Sequence, residues 1–508
     1  MRPAAPQAAE PQGRAAPTPD APLIEVRDPA RGSLVGTVAR QSAQEVAAAV
    51  ARARAAQPAW AALPVRARSR LLRAARRRFV GARAEILDLL ARETGKTRFD
   101  ATGEAIAVCL DVRAVCRHAR RALAPRTVTR GVPFGKRRLV LHKPHGVVGV
   151  VGPWNAPLTL SLGDALYALA AGNAVVVKPS EVTPLAVSRA VRALAEALPA
   201  DVLQVVTGDG AAGEALVDEV DMVALTGSPQ TGRRVMERAA RRLTPVLLEL
   251  GGKDPMIVLE DANLERAANA AVWGGFFMAG QVCMSVERVF VVESIADEFE
   301  RLVVEKTAAL RVGPNDRETD VGPLTTAAQL AIVERQVADA LASGAVAATG
   351  GARRSDLGEL FYSPTVLTGV APGMQVMRDE TFGPVLPVCR VRDEEEALAL
   401  ANRSPFGLNA SIWTADLARG VRLARRIESG CVCINDCILN AGDPELPFGG
   451  VKQSGLGTRH GGIDGIRAFT RPCAVRIDAG RRPRDPAWFP YRLRTARFVE
   501  RAMGWIWG

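Results

Sequence analysis

The chain has 508 residues, 48% hydrophobic and 24% charged, with a formal net charge of +12. That length predicts two or three domains with sizeable cores, and eight irregularly spaced cysteines exclude a disulfide framework and fit a reducing, cytoplasmic compartment. The basic balance alone would suit nucleic acid or anionic lipid. However, Arg is spread through Ala-rich helical stretches such as RARSRLLRAARRRF, which read as solvated helix faces. With neither an RNA-recognition signature nor a Cys/His finger spacing, no nucleic-acid partner is expected.

Residues 1–21 are rich in Ala and Pro and lack an apolar signal core, so they are expected to form a disordered tail. No run of 18 apolar residues predicts a membrane span. From about 40 to 125 the pattern is helical, and Ser42 with Glu45 three residues later forms a capping box. The stretch RLVLHKPHGVVGVVGPWN is β-rich and stops at Gly-Pro. Val-rich strands then alternate with amphipathic helices: NAVVVKPS, VLQVVTG, MVALTGS and PVLLELGG, separated by helical segments. Such runs predict a parallel sheet with crossover helices, a doubly wound layout of nucleotide-binding type. Gly251-Gly252 suits a hinge, beyond which the alternation restarts. Helices are predicted near 262–278 and 296–310, and strands at RVFVV, PVLPVCRV, LNASIWT and GCVCIND.

Seven separated motifs follow one another: GPWN, KPSE, GSPQTG, LELGGKDP, GQVC, ETFGPV and PFGGVKQSGLG. In this order and spacing they resemble the NAD(P)-dependent aldehyde dehydrogenase superfamily over about residues 22–480. The resemblance implies an α/β fold with a Rossmann-type cofactor domain (22–124 and 146–251) and a second α/β catalytic domain (252–467). It also implies a small bridging β segment (125–145 and 468–479) that joins subunits of a homodimer or homotetramer.

By the same resemblance Cys283 is the nucleophile that adds to a small-molecule aldehyde. The resulting thiohemiacetal gives up a hydride to nicotinamide and becomes a thioester. The attacking species is a thiolate, so the site is expected to lower the thiol pKa. Asn155 matches the amide that holds the oxyanion. Glu249 matches the base that activates water against the thioester, and its presence disfavours transfer to coenzyme A. Trp154, Lys178, Ser180, Glu181, Gly227, Ser228, Gly232, Glu380 and Phe382 match cofactor positions. Glu181 would repel a 2′-phosphate, so NAD is expected in preference to NADP. GDGAAG at 208–213 is a literal G-x-G-x-x-G, yet it is read as turn and packing residues.

Gly163 and Phe277 stand where human-type succinate-semialdehyde members carry Arg. With Ala156 they suggest a roomy, apolar mouth for a medium-sized aldehyde. Features shared with a bacterial group named for succinate semialdehyde keep that substrate as the alternative, and a non-catalytic membrane-surface scaffold of the same fold is the rival class. Cys431, Cys433 and Cys437 read as packing rather than metal ligands, and His460 as a local hydrogen-bonding residue. The basic, aromatic tail 480–508 is expected to pack on the body or on a second subunit, with a membrane surface as its other destination.

Overall fold

A computed structural model describes residues 22–129, 136–485 and 488–507. The expected disordered tail 1–21 and part of the bridging segment, 130–135, lie outside the described residues. The described residues fall into two compact units. One runs to Leu123 and resumes over Lys143–Arg471; the other comprises Ala124–His142 and the residues from Pro472 on.

The larger unit holds two sheets. In the first, the order is Gly455–Leu456, Val246–Glu249, Met222–Thr226, Val147–Val151, Ala174–Lys178, Leu203–Val205; all strands are parallel except the edge piece Gly455–Leu456. The continuous apolar runs exist because both faces are covered. Val148, Val150, Val175 and Val177 belong to one core with the helix Pro157–Ala171, while Val147, Val176, Val223 and Leu225 belong to another with the helix Ala43–Ala62. That second helix begins with the expected capping box: Ser42 Oγ accepts from the Glu45 N–H, and Glu45 Oε2 accepts from the Ser42 N–H. The earliest strand of the sheet, Val147–Val151, sits in its middle, so connections diverge to either side and leave a crevice beyond the carboxyl ends. Gly152–Asn155 and Gly227–Ser228 occupy those ends.

The second sheet runs Val346–Thr349, Thr365–Thr368, Val385–Val391, Val286–Val292, Asp254–Val258, Ser411–Trp413, Cys433–Ile434, with only the first strand antiparallel. Two further cores cover its faces. Cys433 and Cys437 are buried there, Cys437 with Sγ directed to the Ala270 carbonyl at 3.5 Å. Gly251 and Gly252 are buried rather than hinge-like. A Cβ on Gly251 would collide with the Glu380 carboxylate, and the Gly252 N–H donates to Glu380 Oε1 at 2.9 Å.

In the smaller unit, Arg137–Pro144 lies between Thr470–Ile477 and Arg126–Thr127 in a three-stranded sheet. Lys136 pairs with Asp478 at 2.9 Å and with Asp485. The tail forms a helix, Leu493–Trp507, none of whose side chains is buried. At 100° per residue, Ile506, Val499, Met503 and Trp507 share one side, Arg497, Arg501 and Arg494 the other, and Trp505 and Phe498 flank the arginines. No described helix is long and apolar enough to cross a membrane.

Candidate active site

Cys283 follows a tight turn, Phe277–Gly280, in which Met278, Ala279 and Gly280 carry φ of 52°, 59° and 70°. A Cβ at Gly280 would strike the Gly383 carbonyl, so this crossing demands glycine. Gln281 ties the turn down on two sides: its Oε1 accepts from the Thr325 N–H at 2.9 Å, and its carbonyl accepts from Asn155 Nδ2 at 2.9 Å. The Asn155 amide is thereby held two residues from Cys283 in sequence. Lys96 donates to the Asn155 main-chain carbonyl at 2.8 Å and pairs with buried Glu104, whose Oε2 accepts from the Leu158 and Thr159 N–H groups at 2.9 and 3.2 Å. Sequence reading missed Lys96 and Glu104; they lie more than fifty residues from the loop they hold.

The 380–382 loop is anchored from below. Glu287 accepts from the Thr381 N–H and the Phe382 N–H, both at 2.8 Å, and from Lys253 Nζ at 2.6 Å. Phe382 takes φ +50° and meets the Trp154 ring edge-on, centroids 5.4 Å apart. Lys178 is buried at its strand end with Nζ 3.1 Å from Glu181, whose side chain remains 45% exposed. Ser180 Oγ accepts from the Val182 N–H at 3.2 Å. Ser228 caps the helix Pro229–Ala240, accepting from the Thr231 N–H.

Trp154, Asn155, Lys178, Ser180, Glu181, Gly227, Ser228, Cys283, Glu380 and Phe382 all line one cleft of about 650 Å³. Gly232 does not. It is buried where a Cβ would come within 2.7 Å of Leu250, so its glycine serves helix-to-strand packing rather than close approach of a ligand. Glu249 also stays behind the wall. Gly210 and Gly213 reach the cleft's rim, whereas Gly208, at φ +153°, abuts Ala212. Glu214, Arg234, Glu237, Arg238 and Arg241 border the same end. Sequence reading named none of these five; Glu214 comes from the helix Gly210–Glu219 and the others from Pro229–Ala240 or its C-cap.

The electrostatics differ from the expectation for Cys283. Burial pushes the thiol up, the carboxylates of Glu249, Asp254 and Glu380 push it further, and only Arg459 opposes them. The protein by itself disfavours the thiolate. Glu249, at the end of Val246–Glu249, is buried, with neither carboxylate oxygen hydrogen-bonded to a described residue. Burial raises its pKa to about 8, opposed by Arg459 and assisted by Asp164. Glu380 is likewise raised to about 8, by burial and then by Glu287.

Gly163 does not open a mouth. A Cβ there would lie 3.3 Å from Asp111 Oδ2 and 3.6 Å from His460 Nε2, so that pair already fills the space. Phe277 stacks on Trp273 with centroids 5.1 Å apart. His460 is buried against Tyr167, its Nδ1 without a hydrogen-bond partner among the described residues, and burial lowers its pKa to about 3.

The fold and cleft define a class, a dinucleotide-dependent enzyme with a cysteine between two α/β layers, and comparison makes it specific. The aldehyde dehydrogenase family model matches residues 17–475. The chain is 42% identical over 448 residues to the Mycolicibacterium smegmatis protein named "Putative succinate-semialdehyde dehydrogenase", of the NADP(+) type, covering 87% of this chain and 86% of that one. It is 41% identical over 492 residues to a 4,4'-diapolycopene aldehyde oxidase of Methylomonas sp, covering 96% and 91%. The crystal structure of an NAD-dependent aldehyde dehydrogenase from Sinorhizobium meliloti superposes with a TM-score of 0.89 at 36% identity, covering 94% of this chain and 95% of that one. The chain belongs to the aldehyde dehydrogenase family and is an NAD- or NADP-dependent aldehyde oxidoreductase.

Proposed function

We propose that the protein oxidises an apolar aldehyde to the free carboxylic acid, with Cys283, Asn155 and Glu249 carrying the chemistry. The observation that carries this reading is the lining of one cleft by both Cys283 and Asn155, with buried, unbonded Glu249 beside them. Cys283 adds to the carbonyl carbon. The developing oxyanion takes the second Asn155 Nδ2 hydrogen, the first being given to Gln281, together with the Cys283 N–H. After oxidation the acyl group remains as a thioester on Cys283. Glu249, raised to about 8, accepts a proton from the water that cleaves it.

The cleft fits a dinucleotide. Gly227 lines the cleft just before the capped helix Pro229–Ala240, whose N-terminus favours a pyrophosphate. Lys178, Ser180 and Glu181 would hold the adenosine side, and Trp154, Glu380 and Phe382 the nicotinamide side. When bound, that group supplies the hydride acceptor. Exposed Glu181 favours NAD over NADP. The strands around 147–249 form the cofactor domain and those around 254–434 the catalytic domain, in a homo-oligomer joined through the smaller unit, working in a reducing cytoplasm.

An apolar substrate is supported by the match to the diapolycopene aldehyde oxidase, which necessarily extends beyond residue 475. Succinate semialdehyde is the second reading, favoured by the name of the Mycolicibacterium relative. The uncovered amphipathic tail helix, cationic on one side and rich in Trp, suits an anionic bilayer surface. NADH formation over a panel of long-chain, aromatic and acidic aldehydes tests the reading. The highest kcat/KM is expected for apolar substrates with NAD, and preference for succinate semialdehyde would overturn the substrate.

A further inference from the structure

We propose that Arg459 is a positioning residue for the hydrolytic half-reaction: from behind the cleft it holds Glu249 and governs when that carboxylate takes a proton, with Asp164 as its competitor. The inference rests on the reading of Glu249 as the base for the thioester-cleaving water.

Arg459 is 1% exposed, on a two-residue strand paired with Pro447–Phe448. Its guanidinium makes a side-chain hydrogen bond from Nη2 to Thr226 Oγ1 at 2.5 Å. Thr226 and Glu249 are directly opposed residues at the ends of neighbouring parallel strands. Arg459 therefore grips one strand end and faces the other, with Nε 3.8 Å from Glu249 Oε1. On its far side Nη1 is 3.7 Å from Asp164 Oδ2, in the helix Pro157–Ala171. Neither Glu249 nor Asp164 has a hydrogen-bond partner among the described residues, and Arg459 Nε has none either. Five buried polar atoms left unbonded at one spot are costly in a rigid core, so the arrangement suits a group that must change its bonding during a reaction cycle.

The surrounding charges complete the argument. Cys283 and Cys431 face Glu249 from the loops across it, and Asp111, with His460 at 4.0 Å, lies beyond Asp164. Burial leaves His460 neutral and raises Asp111 to about 8. A guanidinium does not release its proton, so among the described residues Arg459 is the fixed positive charge that three buried carboxyls share. Glu249 and Asp164 must share it. Arg459 eases ionisation of Glu249, and an ionised Asp164 opposes it. Because Arg459 approaches to ion-pair range without hydrogen-bonding, both Glu249 oxygens keep lone pairs free for water.

Three variants separate this role from plain packing: Arg459→Met, Arg459→Lys and Asp164→Asn, each with kcat measured against pH and the pre-steady-state NADH burst recorded. Removing the positive charge should move the ascending limb of kcat up by about one pH unit or more, and the near-isosteric Asp164→Asn should move it down. Arg459→Lys should keep the limb near its original pH while lowering kcat. Arg459→Lys and Asp164→Asn, which keep the positive charge, should retain the burst. If Arg459→Met does not fold, the downward shift in Asp164→Asn still decides. Variants that lose rate while the limb stays put would overturn the inference and leave Glu249 as base. Full steady-state turnover in Glu249→Gln would instead sink the reading beneath it.

Discussion

Cys283 sits among groups that hold its proton on rather than draw it off. Asp254 and Glu380 join Glu249 in raising the thiol, and none of the three is near it in sequence. The motif around Cys283 marks it as the proposed nucleophile by resemblance, but its acidity depends on burial and on side chains that only folding assembles. Gly163 shows the same limit: its small size was legible, but the Asp111–His460 pair that occupies the space was not. Glu249 provides the pH dependence. A carboxyl raised to about 8 is neutral below that pH and ionised above it, so a base at this position gains activity as pH rises through about 8. Steady-state NADH formation is expected to climb over that window. Glu249→Gln is expected to remove the climb and reduce turnover by about 10²- to 10⁴-fold while sparing the burst. Cys283→Ala is expected to abolish the burst as well, with an unchanged circular-dichroism spectrum.

At the scale of elements, the Val-rich strands and their helices were legible because a strand buried on both faces has little room for polar residues. The N-terminal hairpin, Leu23–Arg27 with Leu34–Ala39, was not: its mixture of exposed and half-buried positions gives no clean alternation. The helix Ala327–Ala342 and the strands Val346–Thr349 and Thr365–Thr368 also escaped the reading. VLQVVTG yields only Leu203–Val205, a short edge strand. The loop that carries Glu380 and Phe382 depends on Lys253 and Glu287, a pair with no exposed surface to advertise it. Lys253→Met leaves the Glu287 carboxylate buried without its cation and should cost about 3–5 kcal/mol of stability. Thermal unfolding would measure that loss. A raised KM for the dinucleotide, with less effect on the aldehyde KM, would report the loosened loop.

At the scale of the whole molecule, the order of seven motifs was enough to name the family, and six of the seven contribute residues to one cleft. The amphipathic spacing of the tail was legible too, and the helix Leu493–Trp507 has no buried residue within one chain. We propose an anionic bilayer surface for it, because Trp505 and Trp507 are 94% and 80% exposed and Arg494, Arg497 and Arg501 share one side. Removing residues 484–508 should abolish flotation with phosphatidylserine vesicles while leaving kcat toward a water-soluble aldehyde intact; flotation that persists would refute the assignment.

Glu181 has a consequence for laboratory evolution. Its carboxylate stands at the rim of the cleft with nearly half of its surface in water, and Lys178 is the partner it reaches. Exchange for a small neutral side chain would disturb no core. A selection for growth on the phosphorylated dinucleotide should therefore find codon 181 early and spare the buried lysine beneath it.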